Sequence, residues 1–262
     1  MHETDARIAE LNMGDPERNR LQVDDSSVHD WYRFVLSFPP HLVRHYLDRF
    51  EQDSNSLVLD PFIGTGTTAV EAKKNGIPAI GMEANPVVYL AAHTKTDWSI
   101  DPLKLEERID AITKILAPSI GFVLTEGEKS PIPEEKMRRL EPDAYKLLLR
   151  GSIDPLPLHK ALSILDKIQQ EDSSTADYLK VALATTLVKD AGNLKFGPEV
   201  GVTKSKNDVD VLQCWHDRAM KMVRDLRSVE YLADVPTTIL HEDSRTAVAK
   251  LPEHSVSAVI TS

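Results

Sequence analysis

Hydrophobic and polar positions change character along the chain. Residues 1–27 are polar, show little periodicity and carry Gly14-Asp15-Pro16, so they read as a mobile arm. Beyond Val28 the chain turns aromatic and basic. Pro39-Pro40 stands just ahead of Leu42, Val43, Tyr46 and Leu47, a spacing that predicts a proline-initiated helix with one buried face. Leu57-Val58-Leu59 then reads as a short buried strand, Gly64-Thr65-Gly66 as a tight turn, and Thr68, Ala69, Val70 and Ala72 as the inner face of a helix stopped by Asn75-Gly76. Residues 78–82 form a second apolar strand ending at Glu83. Strand, turn, helix and strand in that order predict the start of a parallel sheet.

Between residues 97 and 236 strand signals nearly vanish, and 105–116, 133–150, 158–170, 175–189 and 209–226 each carry a helical pattern. Pro131-Ile132-Pro133, Pro155-Leu156-Pro157 and a loop over 192–206 separate them. After Pro236 the α/β rhythm returns: a strand at 237–240, a turn at Glu242-Asp243-Ser244, a short helix over 246–251 and a strand over 256–260, before Thr261-Ser262. The expected organisation is an arm (1–27), the first half of an α/β domain (28–96), a helical insertion (97–236) and two more strands of the same sheet (237–262).

Composition narrows the class. With 262 residues, 41% of them hydrophobic, 27% charged and a net charge of −10, the chain can bury a core and is neither collagen-like nor disordered. No apolar run approaches the roughly 20 residues that cross a bilayer, and the polar start does not resemble a signal peptide. The lone Cys214, in Gln213-Cys214-Trp215, permits no internal disulfide and reads as helix packing; a cytoplasmic setting is expected. An acidic total argues against a surface coated in positive charge, yet leaves room for a local basic groove. His41 and His45 are i, i+4 on a predicted helix but lack further ligands, so packing is preferred to metal.

The chemistry concentrates in the run from Asp60 to Thr68, which follows a strand and opens a helix. Glycines there allow a tight turn and a close approach of ligand to backbone. Glu83, at the next strand end, stands where a carboxylate can accept hydrogen bonds from both hydroxyls of a ribose. A plain strand-to-helix turn and a solvated strand end would read similarly, but strand context and two placed acids favour a cofactor site. Gly64-Thr65-Gly66-Thr67-Thr68-Ala69 also fits G-x-G-x-x-A, which keeps an NAD(P)-dependent oxidoreductase open. Asp60 argues against it, because a carboxylate at that strand tip repels a pyrophosphate. S-adenosylmethionine, which carries an ammonium and a sulfonium and no phosphate, suits these acids better.

Asp60-Pro61-Phe62-Ile63-Gly64-Thr65-Gly66-Thr67-Thr68 resembles the D-P-F-x-G-x-G-T-T motif of DNA amino-methyltransferases acting on cytosine N4 or adenine N6. Gly81-Met82-Glu83-Ala84-Asn85-Pro86 is similar to the family's ribose-binding segment, His241-Glu242-Asp243-Ser244 to its adenine-side acid, and Phe38-Pro39-Pro40 to the segment that covers the methionine end. Val259-Ile260-Thr261-Ser262 resembles the opening of its T-S-P-P-Y catalytic motif and ends before Pro-Pro-Tyr.

The resemblance spans about residues 28–96 and 237–262. It implies a Rossmann-like three-layer α/β sandwich with an incomplete sheet, and it leaves unexplained the helical insertion at 97–236, a candidate DNA-recognition domain. It further implies S-adenosylmethionine held by Phe38, Pro39, Asp60, Pro61, Phe62, Gly64, Gly66, Thr67, Thr68, Glu83, Ala84, Asp243 and Ser244, with Ser262 against the exocyclic amine of a flipped base. Serine at that position leans towards cytosine N4 and leaves adenine N6 open. The implied partners are double-stranded DNA and a missing C-terminal half or complementary subunit, in the restriction-modification setting of such enzymes. A fourth strand beside the first would leave an apolar sheet edge, so the chain is expected to aggregate, dimerise or need that half. A split-enzyme or non-catalytic cofactor- or DNA-binding subunit is the alternative. For phosphate contact, Lys136, Arg138 and Arg139 are candidates, and the loop with Asn193, Lys195, Phe196, Gly197, Lys204 and Lys206 is preferred; ordinary solvated charge would look the same.

Overall fold

The computed structural model describes residues 25–34, 37–125, 128–196 and 199–261. In chain order its elements are α1 (Pro40–Arg49), β1 (Val58–Asp60), α2 (Thr67–Lys74), β2 (Ala79–Met82), α3 (Pro86–Thr96), α4 (Pro102–Leu116), β3 (Phe122–Thr125), β4 (Glu128–Pro131) and α5 (Pro142–Lys146). There follow α6 (Pro155–Ile168), α7 (Ser173–Thr186), β5 (Leu194–Lys195), β6 (Gly201–Val202), α8 (Val211–Val229), β7 (Thr237–Leu240), α9 (Ser244–Ala247) and β8 (Ala258–Val259).

The central sheet has four parallel strands in the order β7-β2-β1-β8, with Val58 opposite both Ala79 and Ala258, and Ala79 opposite Thr237. Alternation of side chains along each strand then sets two faces. Val58, Ala79, Ile239 and Ile260 pack with Val43 and Leu47 of α1, Ala69 and Ala72 of α2 and Ala92 of α3. Leu59, Met82, Ile80 and Leu240 pack on the opposite side with Ala247 of α9, Leu251 and Val256. Helices cover both faces, so the fold is the Rossmann-like α/β sandwich. β8 lies beside β1 at the sheet's edge, with Val259 exposed.

Helices α4, α6, α7 and α8 share one core, built on Leu105, Ile109, Ile164, Leu179, Trp215, Val223 and Leu226. That core continues into Val70 of α2 and into Val28 and Trp31 ahead of α1. The Trp31 ring packs against Tyr178 at 5.7 Å, its Nε1–H donates to Asp225 Oδ2 at 2.8 Å, and the Val28 N–H donates to the same oxygen at 3.1 Å. The Thr185 hydroxyl donates to the Trp31 carbonyl. Asp225 lies on α8 and Thr185 on α7, so the segment before α1 is wedged between the sheet domain and the insertion.

Several expectations need correction. The insertion contains two antiparallel hairpins, β3–β4 and β5–β6, which the sequence pattern does not announce. Residues 133–150 hold only α5 and a single 3₁₀ turn at Glu134–Lys136, because prolines interrupt the segment and almost none of its side chains is buried. The predicted 175–189 helix ends earlier, at Thr186, and closes in a π turn over Leu187–Ala191. The strand predicted over 256–260 contracts to Ala258–Val259, and the helix predicted over 246–251 starts at Ser244 and gives way to a 3₁₀ turn at Val248–Lys250. Most of the predicted mobile arm lies outside the described residues, but Asp25, assigned to it, is fully buried. Arg44 donates to Asp25 at 2.6 Å and to Glu71 at 2.8 Å, and Glu71 accepts the His29 Nε2–H at 2.6 Å. His41 pairs with Asp25, and His45 sits edge-on against Tyr46. Cys214 is half-buried on α8, and burial raises its thiol pKa. Among the described residues no helix is long and apolar enough to cross a membrane.

Candidate functional site

Parallel pairing brings the C-terminal ends of β1, β2, β7 and β8 to one edge, and with them Asp60, Glu83, Asp243 and Thr261. The ladder continues past the strands: Ile63 N–H donates to Met82 O at 3.1 Å, Glu83 N–H to Leu240 O at 3.0 Å and Ile260 N–H to Leu59 O at 3.0 Å. Glu83 and the residues flanking Asp60 are therefore held by backbone pairing, while Asp243 follows in the turn after β7.

Gly64 and Gly66 both have positive φ, at +52° and +92°. Their roles differ. A Cβ on Gly66 would stand 3.2 Å from Ala92 Cα, so this glycine admits α3 against the turn. A Cβ on Gly64 would meet only the Phe62 carbonyl, at 3.9 Å, and so would project into open space. Open backbone of this kind can cradle a ligand. Phe62 is 64% exposed beside it, whereas Thr67 and Thr68 are buried, and the Thr68 hydroxyl donates to Ile260 O at 3.2 Å as a tie between α2 and the end of β8. Pro61 is half-buried. The Ser37 and Thr65 hydroxyls lie 3.4 Å apart and bring the Phe38-Pro39 segment alongside the turn.

Asp60 is buried, and its Oδ1 accepts the Phe62 N–H at 3.0 Å. Burial raises its pKa, against the Thr261 and Thr68 hydroxyls and the Phe62 amide, and the charge of Glu83 adds to the rise. Its Oδ2 is buried without a well-formed hydrogen bond among the described residues. An orphaned carboxylate oxygen under a glycine turn is a place for a cation or hydrogen-bond donor. Half-buried Glu83 accepts the Asn85 N–H at 2.7 Å, and Asn85 in turn caps α3 through Val87 and Val88; Ala84 between them is exposed. Asp243 caps α9 through the Arg245 N–H at 2.9 Å and pairs with the Arg245 guanidinium, which holds its carboxyl down at about 2. Half-buried Ser244 is the first residue of that helix.

The structure adds residues that sequence reasoning misses. Tyr89 on α3 stacks on His241 at 4.6 Å and 14°, joining the helix after Glu83 to the loop before Asp243. Lys95, also on α3 and fully buried, donates to the Thr65 carbonyl at 2.7 Å. Neither carries a local signal, since both act across elements distant in the chain. Ser262 and Gly197 lie outside the described residues.

The basic candidates separate. Asn193 is buried and donates to Gly151 O and Asp154 Oδ2, each at 3.1 Å, so it staples the β5–β6 hairpin from inside. Lys195, Phe196 and Lys204 are exposed, and Lys206 Nζ reaches back to the Lys189 carbonyl at 3.4 Å. Arg138 is paired with Asp166 and Arg139 with Glu134, while Lys136 is exposed. Among the described residues no group of three or more His, Cys, Asp or Glu side chains could hold a metal ion.

A family model described as DNA methylase, of the N6/N4 type, matches residues 13–93. The type II methyltransferase M.BsoBI of Geobacillus stearothermophilus is 35% identical over 105 residues, which is 34% of this chain and 21% of that protein. The type II methyltransferase M.MjaII of Methanocaldococcus jannaschii is 35% identical over 78 residues, 29% of this chain and 14% of that protein. The chain thus matches about a fifth or less of the length of these relatives. No solved structure gives a significant match.

Proposed function

Because residues 13–93 match the model of the N6- and N4-directed DNA methylases and part of the chain resembles two type II methyltransferases, we propose that its sheet edge is the S-adenosylmethionine site of a DNA amino-methyltransferase. The observation that carries the reading is Asp60: a buried carboxylate, one oxygen of which has no well-formed hydrogen bond among the described residues, beneath a glycine turn whose outer side is open. That pairing suits the ammonium of a methionine moiety and repels a pyrophosphate. Glu83 is placed to accept both ribose hydroxyls, and Asp243 and Ser244 border the adenine side. Phe62, Phe38 and Pro39 cover the methionine end. Thr68, Thr67 and Gly66 act from behind, holding the turn to α3 and β8.

When bound, S-adenosylmethionine supplies an electrophilic methyl group on a positively charged sulfur. The acids Asp60 and Glu83 favour that positive charge near the sheet edge. Thr261 brings the start of the T-S-P-P-Y-like motif beside Asp60. Ser262 follows it and would accept a hydrogen bond from the exocyclic amine of a flipped base, turning the nitrogen lone pair towards the methyl. Cytosine N4 is the favoured acceptor, adenine N6 the alternative. The partners are double-stranded DNA and the C-terminal half, or complementary subunit, that completes the enzyme.

Calorimetry with S-adenosylhomocysteine and NAD tests the cofactor. Binding of the first, weakened by about 1–3 kcal/mol in Glu83→Ala, is expected. Binding of NAD alone, or unchanged affinity in the variant, overturns the assignment.

A further inference from the structure

Lys95 is a lysine that no part of the proposed chemistry uses. It is 1% exposed and is among the largest fully buried side chains of the fold. Its Nζ donates to Thr65 O at 2.7 Å and to Tyr32 O at 3.3 Å, both neutral carbonyls. Among the described residues no carboxylate lies within ion-pair distance of it. An apolar side chain of similar volume would fill the slot without desolvating a charge, so packing does not explain a lysine here.

The bonds do. The peptide joining Thr65 to Gly66 is held from both sides, its carbonyl by Lys95 and its N–H by the Ile63 carbonyl at 2.9 Å. A peptide plane pinned at both ends fixes the dihedrals on either side of it, ψ of Thr65 and φ of Gly66, and the second is the positive φ of +92° on which the turn depends. The second bond, to Tyr32, extends the same ammonium to the segment wedged between the sheet domain and the insertion.

We propose that Lys95 is the positioning residue of the glycine turn: its buried ammonium ties the Thr65 carbonyl to the Tyr32 carbonyl and holds the turn in its ligand-accepting shape. The groups around it are Arg33, Asp30 and His29 from the preceding segment and Lys74 and Glu71 from α2. Burial first, then Arg33 and Lys74, lower its pKa to about 7, against Asp30 and Glu71. Its charge therefore changes near neutrality. Resting on the cofactor reading above, a ligand on the turn binds less tightly as pH rises and Lys95 discharges, because the bonds that hold the turn weaken.

The test is Lys95→Met, followed by amide exchange without any added ligand. Protection at residues 64–68 is expected to fall about tenfold, the loss of one charge-assisted bond, with α7 and α8 unchanged. Loop protection within about twofold of the parent in a folded variant overturns the proposal. Should the variant not fold, the parent protein decides: the 13Cε resonance of Lys95 is titrated while protection at 64–68 is followed. A fall in loop protection that tracks the titration supports the clamp, and a flat profile refutes it. A purely structural lysine would not give the pH-dependent S-adenosylmethionine affinity that Lys95→Met should flatten. Loop protection decides on Lys95 whether or not an S-adenosyl compound binds, so the two readings fail separately.

Discussion

Alanine at Gly64 and at Gly66 should separate fold from ligand binding. Both positions have left-handed backbone, and an L-residue there costs about 1–2 kcal/mol. For Gly64→Ala that is the whole expected loss, since the new methyl meets nothing closer than the Phe62 carbonyl at 3.9 Å. For Gly66→Ala a methyl 3.2 Å from Ala92 Cα and 3.3 Å from its Cβ also forces α3 to move. Over-packing of this kind costs about 1–3 kcal/mol more, for a total of about 2–5 kcal/mol. Urea titration reads these values directly. Calorimetry with S-adenosylhomocysteine should then show the reverse emphasis: Gly64→Ala, the less destabilised of the two, loses about tenfold or more in affinity because its methyl occupies the open side of the turn. Equal destabilisation by the two substitutions would refute the division of labour between the glycines. Parent-like affinity in Gly64→Ala would refute the cradle.

Acid should unfold the protein partly through His29. Burial, outweighing its bond to Glu71, lowers its pKa from 6.5 to about 4; the unfolded chain binds that proton first, so stability is full above 6.5 and falls as pH drops towards 4. The loss is on the order of 3 kcal/mol, and urea midpoints for His29→Gln should show a flatter slope over this window; parallel curves would remove His29 from the account. Asp225→Ala strands the Trp31 indole N–H and the Val28 amide and should cost about 2–4 kcal/mol in urea unfolding; a loss below about 0.5 kcal/mol would mean the wedge holds without it. On DNA, Lys195→Ala with Lys204→Ala should reduce the slope of log affinity against log salt by about 2, while Lys206→Ala changes it less because its ammonium is turned towards Lys189. An unchanged slope in the double variant would remove the hairpin from the DNA interface.

The turn between β1 and α2 was legible because its determinants are local. Asp60, the two glycines and the Asn75-Gly76 stop lie within one strand-turn-helix, and their geometry follows from backbone preferences that each residue carries alone. Glu83 and Asp243 were legible at one remove, since a parallel sheet must bring successive strand ends to the same edge. The hairpins were not, because two-residue strands such as β5 and β6 are too short to show alternation. Residues 133–150 mislead for a related reason: Leu140, Leu147, Leu148 and Leu149 supply an apolar pattern, but the fold offers them no surface, and Leu147 stays 87% exposed. Asn193 misleads in the opposite direction. An amide in a lysine-bearing loop suggests a DNA contact, and only the tertiary position of Asp154 shows that it faces inward.

Lys95 and Trp31 lie furthest from what sequence can show, and they bear most on how the molecule works. A path of direct contacts runs from Asp225 on α8 to Trp31, through the adjacent Tyr32 carbonyl to Lys95, and on to Thr65 in the glycine turn. Each step is a hydrogen bond or a peptide link, and Trp31 and Lys95 are both buried. The helical insertion therefore does not hang from the sheet domain as an independent module, because its core includes Val70 of α2 and its α8 anchors the segment that the lysine grips. An insertion tethered only by two loops could reorient without disturbing the sheet edge that carries Asp60 and Glu83. This one cannot shift α8 relative to α2 without pulling on Trp31, and so on the peptide whose carbonyl Lys95 holds. The segment around Trp31, ahead of α1, is in the fold the part through which the insertion and the glycine turn are mechanically joined.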